Sequence, residues 1–155
     1  MEDTSGAARE QGPPCIRVVA AALFDAAGGV LITDRPAGKH MAGRWEFPGG
    51  KVLPGETDAQ ALARELEEEL GIQVLAAHQV LEIAHEYPDR RVQLSMWVVA
   101  RYGGVPQGLD GQRLKWVELE RLPEEDILEA DRPFIEALRR SAAAGPARKL
   151  GREAP

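Results

Sequence analysis

A chain of 155 residues has the length of one ordinary domain, enough to bury a substantial core. Its content, 44% hydrophobic and 28% charged, is that of a globular protein, and no apolar run reaches the ~18 residues that a membrane span needs. The net charge of −6 comes without any basic stripe, which argues against a nucleic-acid polymer as partner, because polymer binding rests on clustered Lys and Arg.

In chain order, residues 1–14 read as a flexible arm ending at Pro13–Pro14, with no apolar segment of the kind a secretory signal carries. Cys15 is the only cysteine, so no intramolecular disulfide can form; this suits a cytoplasmic protein, and Cys15 itself reads as an inert small residue. IRVVAAALF (16–24) is a buried strand, Asp25 to Gly29 its turn, and VLIT (30–33) its hairpin partner. RPAGKHMAGRW (35–45) is loop. EFPGG then leads toward a helix that Thr57 or Asp58 can cap and Gly71 can stop. Strands follow at about 73–86 and 92–101 around the turn PDRR, with His78 and His85 in the first of them lacking metal-ligand spacing. GGVPQGLDGQ (103–112) is a flexible loop, LKWVEL (114–119) a strand, and LPEEDI a turn or a single helical turn. Asp131 can cap a last helix through Arg140, with Pro133 tolerated in its first turn. From 141 the composition reads as a disordered tail. The expected layout is therefore an arm (1–14), one domain (15–140) and a tail (141–155), without internal repeats.

The most informative stretch is GKVLPGETDAQALARELEEELGI (50–72). Glu65, Glu68 and Glu69 stand at i, i+3 and i+4, so a helix stacks three carboxylates on one face, where they repel by a few tenths of a kcal/mol per pair. An acidic helix face can simply meet solvent. Here, however, Ala59, Leu62, Ala63, Leu66 and Leu70 form an apolar stripe, and the carboxylate ridge lies roughly 100° from it, at the margin of a core. Glu67, Arg64 and Gln60 point further outward. Oxygen-rich clusters in such a place hold Mg²⁺ or Mn²⁺, which points to a metal-dependent enzyme acting on a phosphorylated substrate. A cation recruited in this way also lets an acidic protein bind a nucleoside triphosphate.

The same stretch resembles the Nudix hydrolase signature at every fixed position: Gly50, Glu56, Arg64, Glu65, Leu66, Glu68, Glu69, Gly71 and Ile72. HMAGRWEFPGGK (40–51), EYPDRR (86–91) and EADRPFI (129–135) are similar to the MutT-type branch, pyrophosphohydrolases that sanitise nucleotide pools; the resemblance covers about residues 16–140. It implies an α/β fold in which a mixed β-sheet is sandwiched between α-helices. It also implies an Mg²⁺-dependent (or Mn²⁺-dependent) enzyme that cleaves a small nucleoside triphosphate to monophosphate and pyrophosphate, in the cytoplasm, in the service of DNA replication and repair. Monomer and homodimer stay open.

The resemblance places metal ligands on Glu65, Glu68 and Glu69, with a backbone carbonyl of Gly49 or Gly50. Glycine suits that place, since only bare backbone approaches an ion closely. Glu56 and Arg64 are expected to pair and to hold the loop on the helix. The base is Glu65, with Asp110 as rival; Asp110 either completes the metal site or merely forms a turn before Gly111. Arg35 and His40 fall where the family contacts phosphates and sugar, Phe47 offers a stacking surface or plain core, and Glu46, Pro48 and Gly49 line the same stretch. Tyr87 and Arg90 close the opposite side.

One departure matters. Relatives specific for 8-oxoguanine carry an amide where this chain has Asp131. An amide donates to O6 and accepts from N7–H. An ionised Asp only accepts, and it matches O6 only if burial keeps it protonated, unless it reads the N1–H and amino donors instead. Ionised Asp also suits the amino group of cytosine. The leading expectation is an 8-oxo-dGTP diphosphatase, followed by a pyrophosphohydrolase of CTP or methylated dCTP. Further back stand hydrolases of sugar nucleotides or dinucleoside polyphosphates, and a non-catalytic binding module, which would be expected to have lost box carboxylates.

Overall fold

A computed structural model describes residues 14–38 and 41–144. Among these the strands, in chain order, are β1 (Cys15–Leu23), β2 (Gly29–Asp34), β3 (Trp45–Glu46), β4 (Gly49–Lys51), β5 (Gln73–Tyr87), β6 (Arg90–Gly103) and β7 (Leu114–Glu118). The α-helices are α1 (Asp58–Leu70) and α2 (Arg132–Ala144), with 3₁₀ segments at Leu119–Glu124 and Glu129–Asp131.

The period-2 geometry of β1 organises the whole. Val19, Ala21 and Leu23 face one way, onto Leu62, Leu66 and Leu70 of α1. Ala20 and Ala22 face the other way and, with Leu94, Met96 and Val98 of β6, meet Phe134, Ile135 and Leu138 of α2. Buried on both faces, β1 sits inside a mixed sheet of order β4-β1-β6-β5, antiparallel to β4 and parallel to β6. A second, antiparallel sheet has the order β3-β2-β7. The layers are helix, sheets, helix, as the α/β sandwich expectation has them.

The expected hairpin between β1 and β2 does not form. Asp25 Oδ1 accepts from the N–H groups of Ala27 and Gly29 (3.1 and 2.7 Å), closing a tight turn beside an isolated antiparallel bridge, Phe24–Val30. Both edges of β1 are taken by β4 and β6, so β2 pairs with β3 and β7 instead. The β5–β6 hairpin does form, its ends meeting at Tyr87 and Arg90.

In α1, Thr57 is the N-cap: its side chain accepts from Gln60 N while the Gln60 side chain accepts from Thr57 N, and Gly71 ends the helix at φ 73°. Ala59, expected in the apolar stripe, is exposed. Ala61 is buried in its place, because it stands one turn before Glu65 on the side turned to β4. The helix α2 runs to Ala144, past the expected end at 140. All of the proposed arm but Pro14, and most of the proposed tail, lie outside the described residues, as does His40. Among the described residues no helix is long and apolar enough to cross a membrane.

Candidate active site

A cleft of about 480 Å³ opens where β4, the cleft side of α1, the end of β2 and the loop before β7 converge, within the size range of small-molecule sites. Its walls include Arg35, Glu46, Gly49, Gly50, Glu65, Glu69, Tyr87, Asp110 and Asp131.

The loop from β4 to α1 is fixed before any chemistry is considered. Arg64 Nε and Nη2 donate to the two carboxylate oxygens of Glu56 at 2.7 and 2.9 Å, and Nη2 also donates to the Lys51 carbonyl at 2.9 Å. Glu56 in turn accepts from the Leu53 N–H, and the guanidinium holds its carboxyl below the usual range. This two-pronged pair joins helix, loop and strand.

The three carboxylates of the ridge do not share one surrounding. The Glu65 side chain is 15% exposed and meets Arg64 Nη1 at 3.1 Å, whereas Glu68 is 60% exposed and reaches back to the same nitrogen at 3.4 Å. Glu69 lines the cleft beside Glu65. Burial, a hydrogen bond with Glu65, and the charges of Glu65, Glu46 and Asp110 push the Glu69 carboxyl up to about 8. Helical geometry explains the split: Glu69 lies closer to the packed stripe than Glu68, which the extra rotation carries toward solvent. Among the described residues no three acidic or imidazole side chains already form a cation cage.

The donor set nevertheless fits a divalent cation. Acidic groups crowd one half-buried cleft at a cost that positive charge would relieve. A Cβ on Gly50 would overlap the Glu65 carboxylate, and one on Gly49 would strike the Val19 carbonyl and Ala20 Cα, so only glycine lets these groups lie together. Glu65, Glu69 and the glycine backbone would hold the ion, with Glu68 added by a side-chain rotation. The cation would neutralise phosphate charge there.

Elsewhere the expectations divide. Arg35 donates to Glu46 at 2.8 Å, joining β2 to β3 at the cleft wall. Phe47 borders the cleft but is 3% exposed, and its ring packs edge-on against Phe134 at 4.8 Å as part of the core. Pro48 is buried, and its carbonyl accepts from Ala21 N–H at 3.0 Å, outside the cleft lining. Tyr87 lines the cleft, with His85 against it and the Arg90 guanidinium 4.7 Å from its ring centre; Arg90 is not part of the wall.

Asp131 stands directly before α2 and is also tied to a distant strand end. It is buried, and Oδ2 accepts from the Phe47 N–H at 3.0 Å, across 84 residues of sequence. Burial pushes its carboxyl up to about 7; the Phe47 N–H and Arg35 oppose this, and Glu46 reinforces it. Sequence reasoning missed Lys51, Thr33 and Gln112 in the wall. Lys51 follows directly on the glycine pair and could have been found; a lone Thr or Gln carries no such signal.

A family model described as the NUDIX domain matches residues 19–137. The chain belongs to the Nudix family. Among its relatives are proteins of Escherichia coli K12. That organism's 8-oxo-dGTP diphosphatase is 42% identical over 111 residues, 72% of this chain and 86% of that protein. Its CTP pyrophosphohydrolase is 40% identical over 129 residues, 83% of this chain and 96% of that one. The solution structure of the E. coli ORF135 protein superposes with a TM-score of 0.77 at 39% identity, covering 87% of this chain and 96% of that chain. The present protein is thus a Nudix hydrolase, and Gly50, Lys51, Glu65 and Glu69 of its signature stretch line the cleft just described.

Proposed function

We propose that this Nudix hydrolase is a divalent-cation-dependent nucleoside triphosphate pyrophosphohydrolase, acting first on 8-oxo-dGTP. Water attacks a phosphoanhydride phosphorus, the bridging P–O bond breaks, and nucleoside monophosphate and pyrophosphate leave. Mg²⁺, or Mn²⁺, would supply the charge that the spread phosphate negative charge requires. Glu65, locked between Arg64 and the Gly50 backbone, takes the water's proton, with Asp110 as the alternative base. Arg35, Tyr87 and the backbone of residues 46–50 position the nucleotide. Clearing an oxidised precursor would serve replication and repair from the cytoplasm.

The observation that carries the choice of base is Asp131. Burial pushes its carboxyl up to about 7, which brings both the neutral and the ionised form within reach near neutrality. The neutral acid reproduces the pattern of an amide: Oδ1–H donates to O6, and Oδ2 accepts from N7–H beside the Phe47 N–H. A second reading, a cytosine-nucleotide pyrophosphohydrolase, is favoured by the ionised form of the same carboxyl, which accepts from the N4 amino group. The CTP pyrophosphohydrolase relative, spanning 83% of this chain, supports it.

The two readings part on pH. A steady-state screen of 8-oxo-dGTP, dGTP, CTP and 5-methyl-dCTP, as kcat/KM at pH 6 and pH 8.5, tests them. Because the raised carboxyl is protonated below its pKa, the ratio of 8-oxo-dGTP to CTP should fall as pH rises through about 7. Asp131→Asn should remove that fall and move preference toward 8-oxo-dGTP. A substrate ranking that ignores both pH and this substitution would remove Asp131 from base selection.

A further inference from the structure

The loop before β7 is held on the end of α1 by the helix's own unsatisfied carbonyls. Gln107 N donates to the Leu70 carbonyl at 2.9 Å, and Leu109 N to the Glu69 carbonyl at 3.0 Å. One side chain completes the attachment. Gln112 Nε2 donates to that same Glu69 carbonyl at 3.1 Å, while its Oε1 accepts from the Asp110 N–H at 2.9 Å. Only one orientation of the amide satisfies both partners. The next residue, Arg113, anchors the downstream end separately, its N–H and Nε donating to Asp34 at 2.7 Å each.

We infer that Gln112 is a positioning residue, which fixes Asp110 at the cleft mouth by tying its backbone to the helix turn that carries Glu69. The inference rests on the reading of Asp110 as a member of the cleft's acidic set. Asp110 is exposed and sits beside Gly111 in a left-handed turn (φ 83°), so its own packing does little to restrain it. Its charge is felt at Glu69, and both Asp110 and Gln112 line the cleft. The Gln112 amide converts a turn aspartate into one with a set distance to Glu69. Gln112→Ala loses both bonds. Gln112→Glu keeps the acceptor, loses the donor, and brings another negative charge to the cleft.

The test is a double-mutant cycle in the full chain, with hydrogen exchange beside it. Gln112→Ala should lower kcat about tenfold with KM within about twofold, since a misplaced catalytic group affects the reaction more than binding. In an Asp110→Ala background the same substitution should change kcat less than about twofold, because the two act through one route. Amide exchange over residues 104–112 should quicken about tenfold in Gln112→Ala while the global unfolding midpoint holds. An equal loss of kcat with and without Asp110 would overturn the inference, as would wild-type kcat in Gln112→Ala or in Asp110→Ala. If the wild-type protein turned over no nucleotide, the functional reading would fail by itself; unchanged loop exchange in Gln112→Ala would separately overturn the anchor.

Discussion

Glu65 and Glu68 are three residues apart yet meet different surroundings: one lies against a glycine backbone inside the cleft, the other stands 60% exposed on Arg64. Glu69, one position on, returns to the cleft and is pushed up to about 8 by burial and by its acidic neighbours. Within one turn of helix, the residue type matters less than its angle about the axis. Glu69→Gln keeps size and shape but removes the carboxylate oxygen pair that a cation would draw into its charged form. Its kcat should fall by about 100-fold or more if this carboxylate holds the cation that stabilises the transferring phosphate. The circular dichroism spectrum should not change, because Glu69 supports no packing that Gln would lose. Steady-state turnover with Mg²⁺ checks this, and wild-type kcat would count against the assignment.

At the scale of elements, the β4–α1 loop and helix form one unit held at two points. The capping box of Thr57 and Gln60 starts the helix, and the Arg64–Glu56 pair, with the Lys51 carbonyl, ties it to the strand. The two devices should separate experimentally. Thr57→Ala removes a cap worth about 1 kcal/mol and should lower thermal stability by a few degrees with little effect on kcat. Arg64→Lys keeps the charge but cannot reproduce a fork that meets two carboxylate oxygens and a carbonyl. It should lower kcat about tenfold by loosening Glu65 against Gly50. Melting curves and kcat measured on both variants check the separation; equal effects on both readouts would merge the two roles. The pair also has a pH sense. Glu56 is held below its ordinary pKa, so its contribution is present above the usual carboxylate range and is lost as pH falls through the folded-state value.

Over the whole molecule, the sheets separate two apolar clusters, one under α1 and one under α2. Leu66 is buried in the first and Phe134 in the second. Leu66→Ala should cost about 2–5 kcal/mol and Phe134→Ala about 3–5 kcal/mol. Because the sites share no cluster, the double variant should be the sum within about 0.5 kcal/mol by urea unfolding. A large departure from additivity would mean that the clusters communicate through β1. The layering also explains the cleft. It opens where β4 forms the edge of the mixed sheet, α1 presents its acidic side, and the loop before β7 is drawn onto the helix end.

The sequence by itself determined the helix that carries the carboxylates, its cap and its glycine stop, the β5–β6 hairpin and the glycine pair. Each rests on short-range geometry: a period, a cap, a turn or a missing Cβ. Only the tertiary structure decided that β2 leaves β1 for a second sheet, that Phe47 is core, and that Ala61 replaces Ala59 on the packed side. Only it brought Asp131 to the Phe47 N–H and Gln112 to Asp110 and the Glu69 carbonyl. Strand pairing depends on which edges remain open once other strands have docked. A buried polar group, likewise, takes whichever partner the assembled layers place within reach, and neither can be read along one dimension.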